Sequence, residues 1–535
     1  MRNATLAALA LAVVAYFAGL DGLHIPKNGD EYVYVHIARV TAGTGQWLPL
    51  ASELDGMRNT KPPLLFWQGI ASTGWGEHWS YARLRYPNVL YTLLTALLAG
   101  VMAARLGGGR TTGLIAAAAY LAFFTTYRYG RPYLTNAPEV FWLFLAASVV
   151  IVGGEATRRS RLLVPLAYGA IVGIAMLYKS FVLLLPAGIA MTWWYLRGRG
   201  YRWRAFLLFD TYRLALIALV ALGTFALWFA LDPDPASVWQ EFVIQENFGK
   251  VARGNYFVDL FVGRSSLPTL GFGFVLNAGL LAFPFVALLV GTWRRRRELS
   301  EAERTIWIWV VAVLFAFCLP SKRSARYLLP AMPAIAVLLS LRWAHMPRYV
   351  FSMSAIGAGL TMLALGVLAA GISLSGRFDF SYGIVHALVV LAGLLVVGAA
   401  MARRQWTGVL VLPAIFVLYL SITTFLHPFE SAPGRYDAST VDAMRGRRVA
   451  APGNFRAKWE RYRFLLPGAE IAGYWVPAPP GPEPFVIESE RTVEGREVAA
   501  RWDLRTRHSG RQIRELVLEG RWEHVVRREF LVERE

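Results

Sequence analysis

"LLVPLAYGAIVGIAMLYKSFVLLLPAGIAMTWWYL", residues 162–196, fixes how the chain is threaded. As one helix at 1.5 Å per residue it would run to roughly 50 Å, well past a hydrocarbon core about 30 Å thick. A hairpin turning at Tyr178-Lys179-Ser180 divides it into two spans of suitable length. The turn also sets Lys179 at the membrane boundary instead of mid-depth, where an ammonium costs about 3 kcal/mol or more.

The rest of the chain reads the same way. Of its 535 residues 56% are hydrophobic and 14% aromatic, and its mean hydropathy is +0.41, so an all-α polytopic membrane protein is predicted. About thirteen transmembrane helices are expected, at 4–20, 88–104, 112–127, 137–153, 162–178, 180–196, 214–231, 271–292, 306–319, 327–341, 350–373, 383–401 and 408–426.

The net charge of +20 does not mean nucleic acid. A nucleic-acid binder gathers its cations on a soluble face, whereas here they cluster between apolar segments. Arg105 and Arg110, Arg158, Arg159 and Arg161, the arginines of 197–204 and 294–297, Arg342 and Arg348, and Arg403 and Arg404 all follow even-numbered spans. They share one side, and the positive-inside rule makes it the cytoplasm, together with Arg2. The first span also has features of a cleaved signal peptide, but no small-x-small site precedes Asp21, so it is read as retained.

Segments 21–87, 232–270 and 320–326 and everything after His427 then face outward. The inner loops are short and basic and hold neither a Gly-rich loop followed by Lys-Ser/Thr nor a strand-bounded GxGxxG, so the substrate must arrive already activated. The chain divides into a membrane domain, 1–426, and a soluble α/β domain, 427–535, whose short strands suit a lid, an acceptor-side domain or a stabilising appendage. The single cysteine, Cys318, allows no disulfide.

In the first outer segment, "NGDEYVYVHIARV" (28–40) sets Asp30 and Glu31 at the start of an amphipathic helix. Acids there stabilise the helix terminus by capping. Farther on, "TKPPLLFW" (60–67) fixes Lys61 at a proline corner. A lysine beside a membrane segment commonly snorkels toward headgroups, but one on a rigid backbone is also well suited to grip a lipid phosphate with its point charge and three donors.

With "LYKSFVLLLP" (177–186) and "RYLLPAMPAIAVLL" (326–339), these motifs resemble, in order and spacing, the integral-membrane glycosyltransferases of the protein O-mannosyltransferase superfamily. The resemblance is to the bacterial members that include the lipid A aminoarabinose transferases. It implies a GT-C fold, a polyprenyl-phosphate-linked sugar donor, a lipid or protein acceptor, inversion at the anomeric carbon, no cofactor or metal, and a monomer in the bacterial inner membrane with its active site facing the periplasm. Asp30 matches the first-loop aspartate that activates the acceptor, and Lys61 the lysine on the donor phosphate. Lys179 matches a Leu-x-Lys-Gly lysine, with Ser180 in place of the glycine. In "RPYLTNAPEVFW" (131–142) Asn136 stands where many relatives carry a second aspartate, so either Asp30 acts without that partner or Glu139 takes a related role.

Displacing a lipid phosphate from a sugar needs cations for the leaving group and a positioned base. The catalytic candidates are Asp30 and Glu31. The substrate-binding candidates are Lys61, Arg58, Lys179, Lys322, Arg326 with Tyr327, Arg131, Arg253, Asn136 and Glu139. Arg323 anchors its loop or grips phosphate. His24, His36 and His78 lack metal-ligand spacing and are read as structural. Trp47 and Trp67 are read as interface belt. A transporter or flippase of lipid-linked sugars is the rival class, and a protein O-mannosyltransferase the rival within the family; a flippase would want charges deep in mid-helix, which the spans do not carry.

Overall fold

The computed structural model describes residues 2–25, 30–250, 256–263, 266–321, 323–453, 456–475, 480–489, 493–505 and 509–534. The long apolar run breaks where its length demands. Helix Leu163–Tyr178 ends at Lys179, Ser180 is extended, and its Oγ accepts the Val182 N–H at 3.3 Å before a 3₁₀ turn leads into helix Leu184–Gly198. A second reversal lies at Gly107 (φ 105°), between helices Tyr81–Ala103 and Gly109–Ala122. These two pack backbone to backbone: a Cβ on Gly113 would stand 2.6 Å from the Gly100 carbonyl oxygen, the close approach that small residues permit between membrane helices.

The protein is a multi-pass membrane protein. Among the described residues eight helices are long and apolar enough to cross a bilayer, and Arg2–Phe17 and Leu163–Tyr178 are shorter apolar helices. Every expected span falls on helix, but several are short or broken by 3₁₀ turns, so the expected thirteen crossings are not established by length and composition.

The end of the bundle that carries segment 21–87 is a second layer. Helices Glu31–Gly43 and Leu64–Ser72 lay Val33, Ile37, Phe66 and Ile70 against Tyr81 and Leu84 of the bundle and against Val449, Ile471, Ile487 and Leu531 of the C-terminal part in one continuous core. That C-terminal part is a five-stranded sheet of β1 (Arg448–Gly453), β2 (Glu470–Trp475), β3 (Phe485–Glu488), β4 (Gly495–Leu504) and β5 (Val526–Arg534), in the order β2-β1-β3-β5-β4. β1 runs parallel to β2 and β3; β5 is antiparallel to β3 and β4.

Two polar bolts fasten this sheet domain to the bundle. Glu460 accepts hydrogen bonds from His36 Nδ1 at 2.7 Å and from the Arg39 guanidinium at 2.9 Å, while His36 Nε2 accepts the Glu53 N–H at 3.0 Å. In the other bolt His24 stands between two carboxylates, Nδ1 2.7 Å from Glu430 and Nε2 2.8 Å from Asp503. Arg461, Arg501 and Arg527 face Asp503 from the sheet side, and Arg435 lies near Glu430.

Burial alone would lower the His24 pKa, but its hydrogen bonds to Asp503 and Glu430 raise it above its ordinary 6.5. A raised pKa contributes stability that is complete below the unfolded value and lost as pH climbs through the folded one. The Asp503 contribution does not vary in that window: burial opposes its charge, Arg461 and Arg501 more than offset this, and its pKa is held well below the usual carboxylate range. The melting-temperature gap between wild type and His24→Asn should therefore be widest below the ordinary histidine value of 6.5 and narrow as pH rises above it. A gap that does not change with pH refutes the charged bolt.

Candidate active site

The hairpin turn, segment 21–87, residues 246–248 and 317–320, the 3₁₀ stretch Ala325–Ala331 and one side chain of the C-terminal domain enclose a cavity of about 780 Å³. Asp30 sits at the N-cap of Glu31–Gly43, yet its carboxylate makes no capping hydrogen bond. It turns into the cavity, with Oδ2 3.4 Å from Arg326 Nη1 and Oδ1 3.5 Å from Arg456 Nη1. One arginine comes from the membrane bundle and the other from the C-terminal domain.

Lys61 lies across the cavity, at the corner where Pro62 and Pro63 lead into Leu64–Ser72. Its Nζ donates to the Thr60 carbonyl at 2.7 Å and is ion-paired with Glu246. Lys179 enters from the hairpin turn, 2.5 Å from Glu139 Oε2 and 5.4 Å from the centre of the Tyr327 ring. Ser180 donates to Asn247 Oδ1 at 2.8 Å, so the residue that replaces the expected glycine fastens the turn to the 232–270 segment. Burial, with Asp30 nearby, pushes the Tyr34 phenol well above its ordinary 10.0, which keeps it a neutral donor at the wall. Lys61, Lys179, Arg326 and Arg456 thus face Asp30 and Glu246 inside, an excess of positive charge suited to a bound anion.

Of the expected residues, Asp30, Lys61, Lys179, Arg326 and Tyr327 line this cavity. Glu31 does not, which corrects its placing beside Asp30 as a catalytic group. It is fully buried, grips Arg85 at 2.7 and 2.8 Å and accepts the Tyr133 N–H at 2.7 Å, because successive residues at a helix start point in different directions. Arg131 is likewise no cavity residue: it is buried on the Tyr16 and Ala18 carbonyls and the Tyr127 hydroxyl, where it pins the end of the first helix. Arg58 pairs with Asp234 and donates to Ser237 at 3.1 Å, which ties the first outer segment to the 232–270 segment. Asn136 is buried behind the cavity, 3.5 Å from Glu139, and acts there as a neighbour of Glu139 and not as a ligand in the open space. Glu139 reaches the cavity only through Lys179. Arg253 and Lys322 lie outside the described residues. Arg323 holds the Cys318 carbonyl at 2.8 Å. Trp47 stacks obliquely on Trp75 with ring centres 4.4 Å apart and meets Trp67 edge-on.

Sequence reasoning missed Glu246, Asn247 and Arg456. The first two stand in the "ENFGK" stretch, which was not singled out for them, and Arg456 precedes a helix of the C-terminal sheet domain, far along the chain from Asp30. Among the described residues no three His, Cys, Asp or Glu side chains gather as a metal site.

Residues 21–236 match the family model of dolichyl-phosphate-mannose-protein mannosyltransferases. Over 316 residues the chain is 27% identical to the undecaprenyl phosphate-alpha-4-amino-4-deoxy-L-arabinose arabinosyl transferase of Erwinia tasmaniensis, covering 58% of this chain and 54% of that protein. The protein of the same name from Pectobacterium carotovorum subsp. carotovorum is 27% identical over 346 residues, 62% of this chain and 57% of its own length. The chain thus spans a little over half the length of the curated relatives it matches. The crystal structure of ArnT from Cupriavidus metallidurans bound to undecaprenyl phosphate superposes with a TM-score of 0.63 at 18% identity, covering 88% of this chain and 85% of that one. Its apo form gives 0.61 at 19% identity. The fold is the GT-C fold. In sequence and architecture the chain resembles the GT-C glycosyltransferases, lipid A aminoarabinose transferases among them. The matched residues 21–236 take in Asp30, Lys61 and Lys179; Arg326 and Arg456 lie beyond them.

Proposed function

We propose that this protein is an inverting membrane glycosyltransferase that moves a sugar from a polyprenyl-phosphate donor to an acceptor on the outer, periplasmic face of the bacterial inner membrane. The observation that carries the reading is the cationic cavity around Asp30, which shares Phe181 and Val182 with an apolar groove of about 920 Å³ along helix Leu184–Gly198. A lipid phosphate suits such a pair of spaces, its head among Lys61, Lys179 and Arg326 and its tail beside the helix. The relatives' names support an aminoarabinose-type sugar with a lipid A phosphate as acceptor. The family model's description keeps a protein hydroxyl as the second acceptor to test.

In the reaction an acceptor oxygen attacks the anomeric carbon from the face opposite the phosphate. The bond from that carbon to the phosphate oxygen breaks, its electron pair stays on the phosphate, and Lys61 and Arg326 hold the charge that develops. Asp30 takes the proton of a hydroxyl acceptor or orients an ionised one. The donor phosphate replaces Glu246 as the partner of Lys61. The soluble domain, 427–535, closes over the membrane domain, 1–426, and supplies Arg456 to the acceptor side of Asp30.

Full-length protein should transfer sugar when given polyprenyl-phosphate aminoarabinose with lipid A, and a parallel panel with protein and glycan acceptors assigns the acceptor. Donor binding without transfer to any acceptor of the panel would overturn the reading and favour a flippase. Lys61→Ala should weaken binding of polyprenyl phosphate roughly tenfold or more, and Lys61→Arg much less, since a charge at a fixed corner is what the phosphate meets. Equal affinities of wild type and Lys61→Ala remove the lysine from the donor site.

A further inference from the structure

The far, arginine-rich end of the bundle carries a cavity unrelated to the one around Asp30. It measures about 580 Å³ and lies between helix Ala282–Arg294 and the start of helix Arg348–Leu374. One wall is a stripe on a single helical face: Phe283, Val286 and Val290, 41%, 45% and 46% exposed, and then Arg294. Residues three and four apart share a face, so an apolar chain laid on the first three meets the fourth at its end. From Phe283 to Arg294 the rise is about 16 Å, close to half of a hydrocarbon core about 30 Å thick. The stripe therefore runs from mid-bilayer to the headgroup level of one leaflet.

At that level the cavity is lined by Arg294, Arg295, Arg342 and His345. Arg342 is engaged by Glu303 at 2.5 Å, and the neighbouring Glu301 is held by Arg197 at 2.7 Å. Arg294 and Arg295 pair with no carboxylate among the described residues, so their charge is available to an outside anion. The geometry points to a binding site for one anionic phospholipid of this leaflet, its phosphate at Arg294 and Arg295 and one acyl chain along Phe283, Val286 and Val290. A basic pocket between membrane helices, floored by an apolar furrow of one-leaflet length, matches the two halves of such a lipid.

Purified full-length protein equilibrated with equal amounts of phosphatidylglycerol and phosphatidylcholine, and then read by native mass spectrometry, tests the site. Wild type should retain phosphatidylglycerol in preference, and Arg294→Gln/Arg295→Gln should reduce that preference roughly tenfold or more. Arg403→Gln/Arg404→Gln, which thins the basic belt elsewhere, should leave it intact. Val290→Trp, which fills the furrow and keeps both arginines, should lower retention as well and stands in if the double variant fails to fold. Equal retention of the two lipids by wild type overturns the proposal, as does an equal loss from the Arg403/Arg404 control, or competition by inorganic phosphate as effective as by the lipid.

Discussion

Asp30→Asn should fold as well as wild type and transfer sugar on the order of 10²-fold or more slower. The substitution keeps the shape of the side chain and one of the two oxygens, so one of Arg326 and Arg456 keeps its acceptor while the other meets the amide NH2, and it removes the charge and the ability to take a proton. Capping does not confuse the outcome, because the carboxylate makes no capping bond and asparagine caps about as well as aspartate. Thermal unfolding and single-turnover transfer on one preparation separate the two effects. A stable variant with wild-type turnover removes Asp30 from the chemistry and leaves it as a spacer between two arginines.

The largest effect on stability is expected at Arg85, whose guanidinium is fully buried on Glu31 and on the Leu20 and Gly22 carbonyls at 2.8 and 2.6 Å. Arg85→Met strands the Glu31 carboxylate without a counter-charge, and breaking a buried pair in this way costs about 3–5 kcal/mol. Arg85→Met/Glu31→Gln should recover a large part of the loss, since glutamine is neutral and still accepts the Tyr133 amide. Melting temperatures in detergent for the two single variants and the double decide it. Strictly additive losses would mean that the pair does not act as a unit.

What the sequence made legible was set by lengths and charges that admit one solution. An apolar run too long for one crossing must turn, and the turn falls at Lys179; a lysine before two prolines sits at a corner, and Lys61 does. Direction and distance along the chain were not legible. Asp30 and Glu31 are neighbours in sequence but one faces the cavity and the other a buried arginine, a difference set by the angle at which the helix begins and not by residue type. Arg131 and Arg326 look alike as outer-face cations. One is consumed by the carbonyls that end the first helix, and the other meets a carboxylate across open space. Arg456 had no local signature, because its place over Asp30 depends on Glu460, four residues on, being clamped to His36 and Arg39 of the helix that Asp30 begins.

On the proposed function, a lipid donor reaches the charged cavity from the bilayer at Phe181 and Val182, the residues the cavity shares with the groove beside helix Leu184–Gly198. A donor that arrives by that door diffuses in two dimensions, so the quantity that saturates the protein is its mole fraction in the surrounding film and not its molarity in the tube. Micellar surfactant occupies the same threshold and dilutes the donor at once. Apparent half-saturation should therefore track the ratio of donor to surfactant, and assays run at different surfactant loads become comparable only on that scale.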